Sequence, residues 1–331
     1  MTKGMTHRER FEAAVRGDEV DRVPVSMWRH FFAKEQTTRG LAQAMVAFQK
    51  KYDWDYMKFN PRASYHVEDW GVKLRYTGDS QPKVVSTPVK SPADWTRLEP
   101  LPPDKEVLGD HLKALETVSK GLKGEIPILA TVFTPFSIAS RLAKSDAAFM
   151  RDVREHPDKV KHALEVVTET FVRYSKACME RGAVGLFYAA TVWSNAKAMS
   201  KEEYTKVARP TDLALLKRLP KGGIHMLHVC KDENYLDLLA DYPVQVFNWD
   251  ARGKGNPSLA EGKALVKGKA VAGGIPHQDA LVQGKTTELA GEVRGMRVAM
   301  GSRGWMLGSG CTYPGETPGR NVRAIRDAAA N

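Results

Sequence analysis

The stretch from Gly223 to Trp249, GIHMLHVCKDENYLDLLADYPVQVFNW, reads as strand, helix, strand. GIHMLHVC (Gly223 to Cys230) and VQVFNW (Val244 to Trp249) are short runs rich in β-branched and aromatic residues, and Asn234 to Asp241 between them carries a helical pattern. The same unit recurs in both directions. VPVSMW (Val23 to Trp28), DYMKF (Asp55 to Phe59), IPILATVF (Ile126 to Phe133), VGLFYAA (Val184 to Ala190), KAVAGGI (Lys269 to Ile275) and GWMLGSG (Gly304 to Gly310) bring the candidate strands to eight. Helical patterns separate them at Gly40 to Lys51, Lys105 to Gly121, Ser137 to Val153, Pro157 to Arg181, Ser200 to Leu219, Ser258 to Val266 and Thr287 to Met300, with a last one from Pro318 to Ala329. A first helix opens at Thr6, with Glu9 completing a capping box and Gly17 as the stop; Ser200 and Glu203 predict a second box.

Strict alternation of eight strands with helices predicts an α/β chain folded as a (β/α)₈ TIM barrel, with a doubly wound open sheet as the alternative. One stretch breaks the rhythm. From Tyr65 to about Pro103, EDWGVKLRYTGDSQPKVVSTPV alternates like a small antiparallel excursion and SPADWTRLEPLPP is turn-rich, which predicts an elaborated loop after the second strand covering one end of the barrel. No internal repeat or linker divides the chain, so a single barrel domain over residues 1–331 is expected.

Composition narrows the function classes. With 331 residues, 42% of them hydrophobic, the chain has material for a large core and is not a disordered segment. Fifty Lys and Arg against 39 Asp and Glu give +11, which suits an anionic ligand or partner. The basic residues are thinly spread, as in Lys197, Lys201 and Lys206, without interleaved aromatics, which argues against nucleic acid. No run approaches the ~18 apolar residues of a membrane helix, and the charged start MTKGMTHRERFEAAVRG is unlike a signal peptide, so a cytoplasmic protein without membrane attachment is expected. Three cysteines, Cys178, Cys230 and Cys311, are too few and scattered for a disulfide framework.

In a strand, residues two apart share a face, so His228 and Cys230 point together at the C-terminal end of the fifth candidate strand. Cys311 follows the eighth. In a (β/α)₈ barrel both ends belong to one rim, and Gly308 and Gly310 allow close approach there. Imidazole with two thiolates is a zinc set, and three protein ligands with an open fourth position is its catalytic form; the alternative is that the cysteines pack as small hydrophobes. Cys178, in the helical FVRYSKACMERGA, reads as packing. His225, three residues from His228, shares no face with it and reads as packed or exposed.

THRERFEAAVRGDEVDRVPV at 6–25, GAVGLFYAATVWSNAKAMSKEEYTKVARP at 182–210 and GWMLGSGCTYPGETPGRNVRAI at 304–325 together resemble the uroporphyrinogen decarboxylase superfamily over nearly the whole chain. That resemblance implies a (β/α)₈ barrel and one of two activities, decarboxylation or cobamide-dependent methyl transfer. The methyltransferase branch, similar to methylcobamide:coenzyme M methyltransferases, carries zinc on an HxC followed far downstream by a C, which His228, Cys230 and Cys311 match. The decarboxylase pattern is incomplete: MWRHFFAKE keeps only Arg29 of an arginine- and glycine-bearing segment, KFNPRAS offers Asn60 where an aspartate belongs, and LGSGC has Ser309 in place of a histidine.

The resemblance therefore implies a zinc-dependent, corrinoid-linked methyltransferase acting on a thiol or similar acceptor, with a decarboxylase or a non-catalytic tetrapyrrole or corrinoid binder as alternatives. Substrate contacts are expected from Arg29, Asn60, Tyr188, Asn248 and His277 at the rim, with Asp250 or Glu316 as a resting fourth ligand and Trp249, Trp193 and Phe133 as walls. Arg29 alternatively makes a structural ion pair. The chain lacks a DxHxxG corrinoid-ligand motif, so cobalamin is expected from a corrinoid protein or free in solution.

Overall fold

Strand pairing in the main sheet is parallel throughout in the computed structural model of the protein, which describes residues 4–330. The domain ends expected at 1 and 331 lie outside the described residues. The strands are β1 (Val25–Ser26), β2 (Met57–Phe59), β3 (Lys73–Arg75), β4 (Lys83–Ser86), β5 (Ile128–Phe133), β6 (Gly185–Ala190), β7 (Met226–Val229), β8 (Val246–Trp249), β9 (Ala270–Ile275) and β10 (Trp305–Ser309). Eight of them run in the order β1-β10-β9-β8-β7-β6-β5-β2, and β3 pairs with β4 as a separate antiparallel hairpin. This is the (β/α)₈ TIM barrel expected from the alternation, with the excursion after β2 in its expected place.

The ring closes between β1 and β2 through one residue, by its backbone and its side chain. Asp55 donates its N–H to the Val25 carbonyl at 3.0 Å, and its carboxylate accepts the Val25 N–H at 2.9 Å. The same carboxylate takes Arg10 at 2.8 Å, Arg22 at 2.6 Å and His7 at 3.0 Å, and is fully buried. These contacts lie at the N-terminal ends of the strands, the end of a barrel that serves stability. Burial alone would raise the Asp55 carboxyl; the bonds from His7 and Arg22 outweigh it and hold the group well below the usual carboxylate range.

Alternation sorts each strand between two cores. Tyr56, Leu129, Phe187, Met226, Val246 and Met306 fill the barrel interior, whereas Ile128, Leu186, Leu227, Phe247 and Leu307 face the helices. The predicted helices form with two breaks. Ser137 to Val153 divides into Pro135–Ser140 and Asp146–Glu155, because Leu142 and Ala143 pair with Val89 of the excursion (Val89 N–H to Leu142 O, 3.1 Å). Ser200 to Leu219 divides at Ala208, just before Pro210. The capping box of Thr6 and Glu9 forms in full, but only half of the Ser200 box does: Glu203 turns its carboxylate to Arg154 at 2.9 Å. No described helix is long and apolar enough to cross a membrane.

Candidate metal centre

Inward positions of β7 are Met226 and His228, and Cys230 follows on the same face. Registry places His228 between Ala189 of β6 and Asn248 of β8, so one neighbour is small and the other can bond the ring. The Asn248 amide oxygen accepts from His228 Nδ1 at 2.6 Å, and its NH₂ donates to the carbonyls of Ala272 at 2.8 Å and Ser309 at 3.2 Å. Those two donations fix the orientation of the amide, so its oxygen faces the ring and Nδ1 carries the proton. Nε2 keeps the lone pair. Phe187 stacks on the same imidazole, ring centroids 5.2 Å apart.

Just past Cys230 the backbone turns out of the barrel at Lys231, whose φ of 74° lies in the left-handed region. Cys311 arrives from β10 by way of Gly310, where a Cβ would stand 2.8 Å from the Asp250 Cα; only glycine lets that loop pass. The two sulfurs end 3.9 Å apart, and the ligand atoms of His228, Cys230 and Cys311 all lie within 4.8 Å of one another. A tetrahedral ion with metal–sulfur bonds of about 2.3 Å separates two sulfurs by roughly 3.8 Å. The spacing fits.

All three ligands line a cavity of about 390 Å³ at the C-terminal mouth of the barrel, so the fourth side of the cluster opens to it. Gln81, Pro82 and Val84 of the hairpin line it too, and the excursion after β2 is its roof. Pairing with Cys230, and then His228, holds the Cys311 thiol well below its ordinary value, while the same pairing pushes Cys230 up. An ion bound here would displace the thiol protons.

The remaining expected residues divide. Asn60 lines the cavity, accepting from Lys58 and donating to the Arg29 carbonyl at 3.2 Å. Phe133 is wall. Asn248 is at the site, as the partner of His228. His277 lies at the rim with Nδ1 3.5 Å from the Asp250 carboxylate. Arg29 is turned away: its guanidinium donates to the Gly315 carbonyl at 2.8 Å and lines a separate groove with Phe31 and Tyr313. Its position in the loop after β1 is taken at the cavity by His30, whose Nδ1 is 3.1 Å from the buried Glu35.

Tyr188 faces outward, because the inward positions of β6 belong to Phe187 and Ala189; its hydroxyl donates to the Asp212 carbonyl in the helix layer. Trp249 and Trp193 are also in that outer layer. Neither Asp250 nor Glu316 joins the ligand cluster. His225 is packed, with Nδ1 accepting the Leu186 N–H at 3.2 Å and burial lowering its pKa to about 4. Cys178 is buried among helices, its thiol pushed up to about 12.

Sequence reasoning missed Lys58. In DYMKF the alternation that turns Met57 and Phe59 outward turns Tyr56, Lys58 and Asn60 inward, and a lysine at such a position was the available signal. Its ammonium lies 4.7 Å above the Phe187 ring; burial lowers its pKa to about 7, against the pull of Cys311, Glu35 and Cys230.

Residues 6–331 match the profile of the family described as Uroporphyrinogen decarboxylase (URO-D). A uroporphyrinogen decarboxylase of Carboxydothermus hydrogenoformans is 25% identical over 193 residues, 56% of this chain and about half (53%) of that protein. Methylcobamide:CoM methyltransferase MtbA of Methanosarcina mazei is 22% identical over 349 residues, 98% of each chain. Among solved structures, a methyltransferase from Methanosarcina mazei superposes with a TM-score of 0.83 at 20% identity, covering 98% of each chain.

Proposed function

The chain belongs to the uroporphyrinogen decarboxylase family, and from that we propose that it is a zinc-dependent methyltransferase, moving a methyl group between a corrinoid or methylated donor and a thiol acceptor. The observation that carries the reading is the cluster of His228, Cys230 and Cys311 opening on the barrel cavity. Two thiolates and a neutral imidazole suit zinc and leave one position free. Zinc bound there would supply Lewis acidity, drawing the proton from a thiol while leaving electron density on sulfur. Asn248 fixes the tautomer and tilt of His228, and the roof from Gln81 to Val84 limits water. In the transfer a sulfur lone pair forms the new S–C bond as the methyl–donor bond breaks, and its electron pair stays with the donor.

Support against the decarboxylase alternative comes from the same cavity. Among the described residues no Asp or Glu lines it, so pyrrole N–H groups would meet no carboxylate, and the Asn60 oxygen is engaged by Lys58. Its volume of about 390 Å³ is at the small end for ligand pockets. A single barrel domain over residues 1–331, a cytoplasmic location and a cobamide brought to the mouth by a corrinoid protein, or free, complete the proposal. The test is metal content together with zinc-edge absorption, with and without thiols, and turnover of methylcobalamin. Protein without stoichiometric zinc, or with turnover indifferent to Cys230→Ser and Cys311→Ser, refutes it; coloured complexes without turnover would make the chain a corrinoid binder.

A further inference from the structure

Lys58 is a buried lysine that no carboxylate contacts among the described residues. Only 6% of it is exposed, and among the described residues it makes no ion pair; its one hydrogen bond goes to the neutral Asn60 amide. The acid nearest to hand, Glu35, is committed to His30 Nδ1 and to the N–H groups of Phe31 and Ala63. Of the other cations lining the cavity, Arg62 is satisfied by Glu68 at 2.6 and 2.8 Å, Arg141 faces Asp146 at 3.6 Å, and Lys231 is exposed. A charge held out of water and unpaired is costly, so folds keep one where a ligand completes it.

The charge of the site says which ligand atom that is. Two thiolates and a neutral imidazole cancel the charge of a divalent ion, leaving the loaded cluster neutral. An acceptor that enters as thiolate then adds one negative charge to a closed cavity. Lys58 lies 4.7 Å from the centre of the Phe187 ring, the ring that stacks on His228, and lines the same cavity as the cluster. We propose that Lys58 is the counter-ion of the acceptor's sulfur itself, selecting the thiolate form at the metal whatever the acceptor carries at its other end. This rests on the zinc and thiol reading above. Charge at the sulfur, not a tail group, is what Lys58 reads; the tail is left to the roof and walls.

The experiment compares two thiols, 2-mercaptoethanol with a neutral tail and 3-mercaptopropionate with an anionic one, on zinc-loaded wild-type protein and Lys58→Met. Metal content and the added sulfur in the zinc-edge spectrum are read together with thiol affinity. Methionine matches the length of the lysine stem and removes a buried charge, so Lys58→Met should keep its zinc and melt no lower than wild type; Lys58→Gln serves as a second variant. Two unit charges several ångströms apart at an effective dielectric constant of about 20 are worth roughly tenfold to hundredfold in affinity. The expected result is that loss for both thiols alike, with Lys58→Arg recovering part of it. A loss confined to 3-mercaptopropionate, or none, overturns the proposal and leaves the zinc reading standing. No added sulfur at wild-type zinc with either thiol overturns both.

Discussion

Replacing Asn248 by alanine tests whether one amide both orients the metal ligand and joins three strands. The substitution removes an acceptor 2.6 Å from His228 Nδ1 and two donors, at 2.8 and 3.2 Å, to the carbonyls of Ala272 and Ser309. Without the acceptor the imidazole is free to rotate and to change tautomer. Partners of this kind cost about 10-fold to 100-fold in metal affinity when lost, or roughly 1.4 to 2.7 kcal/mol. Because the side chain is fully buried, the stranded groups should also destabilise the metal-free protein by about 2 to 4 kcal/mol. Zinc affinity by chelator competition and metal-free stability by denaturant titration separate the two effects. Asn248→Asp sharpens the comparison: it keeps an acceptor for His228 but sets a carboxylate against two carbonyls, so stability should fall while zinc affinity holds. An alanine variant that is destabilised yet binds zinc as tightly as wild type would refute the orienting role.

Alkylation of metal-free protein should label Cys311 first, with Cys178 inert under native conditions because its buried thiol is pushed up to about 12; mass spectrometry of iodoacetamide-treated protein reads this, and zinc should protect Cys230 and Cys311. Asp212 is buried with one oxygen taken by the hydroxyls of Tyr204 and Tyr242 and the other unpartnered, and burial raises its pKa to about 7. The folded protein therefore holds that proton more tightly than the unfolded chain, so this group's contribution to stability falls as pH rises from about 4 to 7. Asp212→Asn should flatten that slope in denaturant titrations. Asp55 acts in the opposite sense: its depressed pKa gives stability that is present above about pH 4 and lost as the pH falls through the folded value. Asp55→Asn should cost about 3 to 5 kcal/mol at pH 7, with the gap to wild type narrowing in acid.

The barrel was legible because its signal is repeated: eight apolar runs, each bounded by a helix pattern, leave few architectures open. The meeting of His228, Cys230 and Cys311 was legible for a simpler reason, since strand polarity alone carries Cys230 and Cys311 to the same rim. Side-chain direction was harder. Tyr188 lies on the right strand, but the period of two that makes Phe187 inward makes it outward. Arg29 sits in the right loop, yet its direction is set by the Gly315 carbonyl, 286 residues away, which no local pattern reports. Lys58 was hidden by convention: a lysine in an apolar strand reads as an edge or an end, and only the closed barrel shows that its side faces inward. Asn248 was expected at the rim and is there, but its partner in registry turns it toward His228.

Cys230 follows β7 and Cys311 follows β10, 81 residues later, so an ion gripped by both would be a clasp across the intervening β8 and β9. Cross-linking so long a segment removes many conformations from the unfolded chain, as a disulfide would, but reversibly and under the control of metal supply. Metal and this quarter-turn of the barrel should therefore be gained and lost together. Backbone amides of β8 and β9 would exchange with solvent faster in chelator than those of β5 and β6, and the two cysteines that frame the cavity mouth would also fasten the wall behind it.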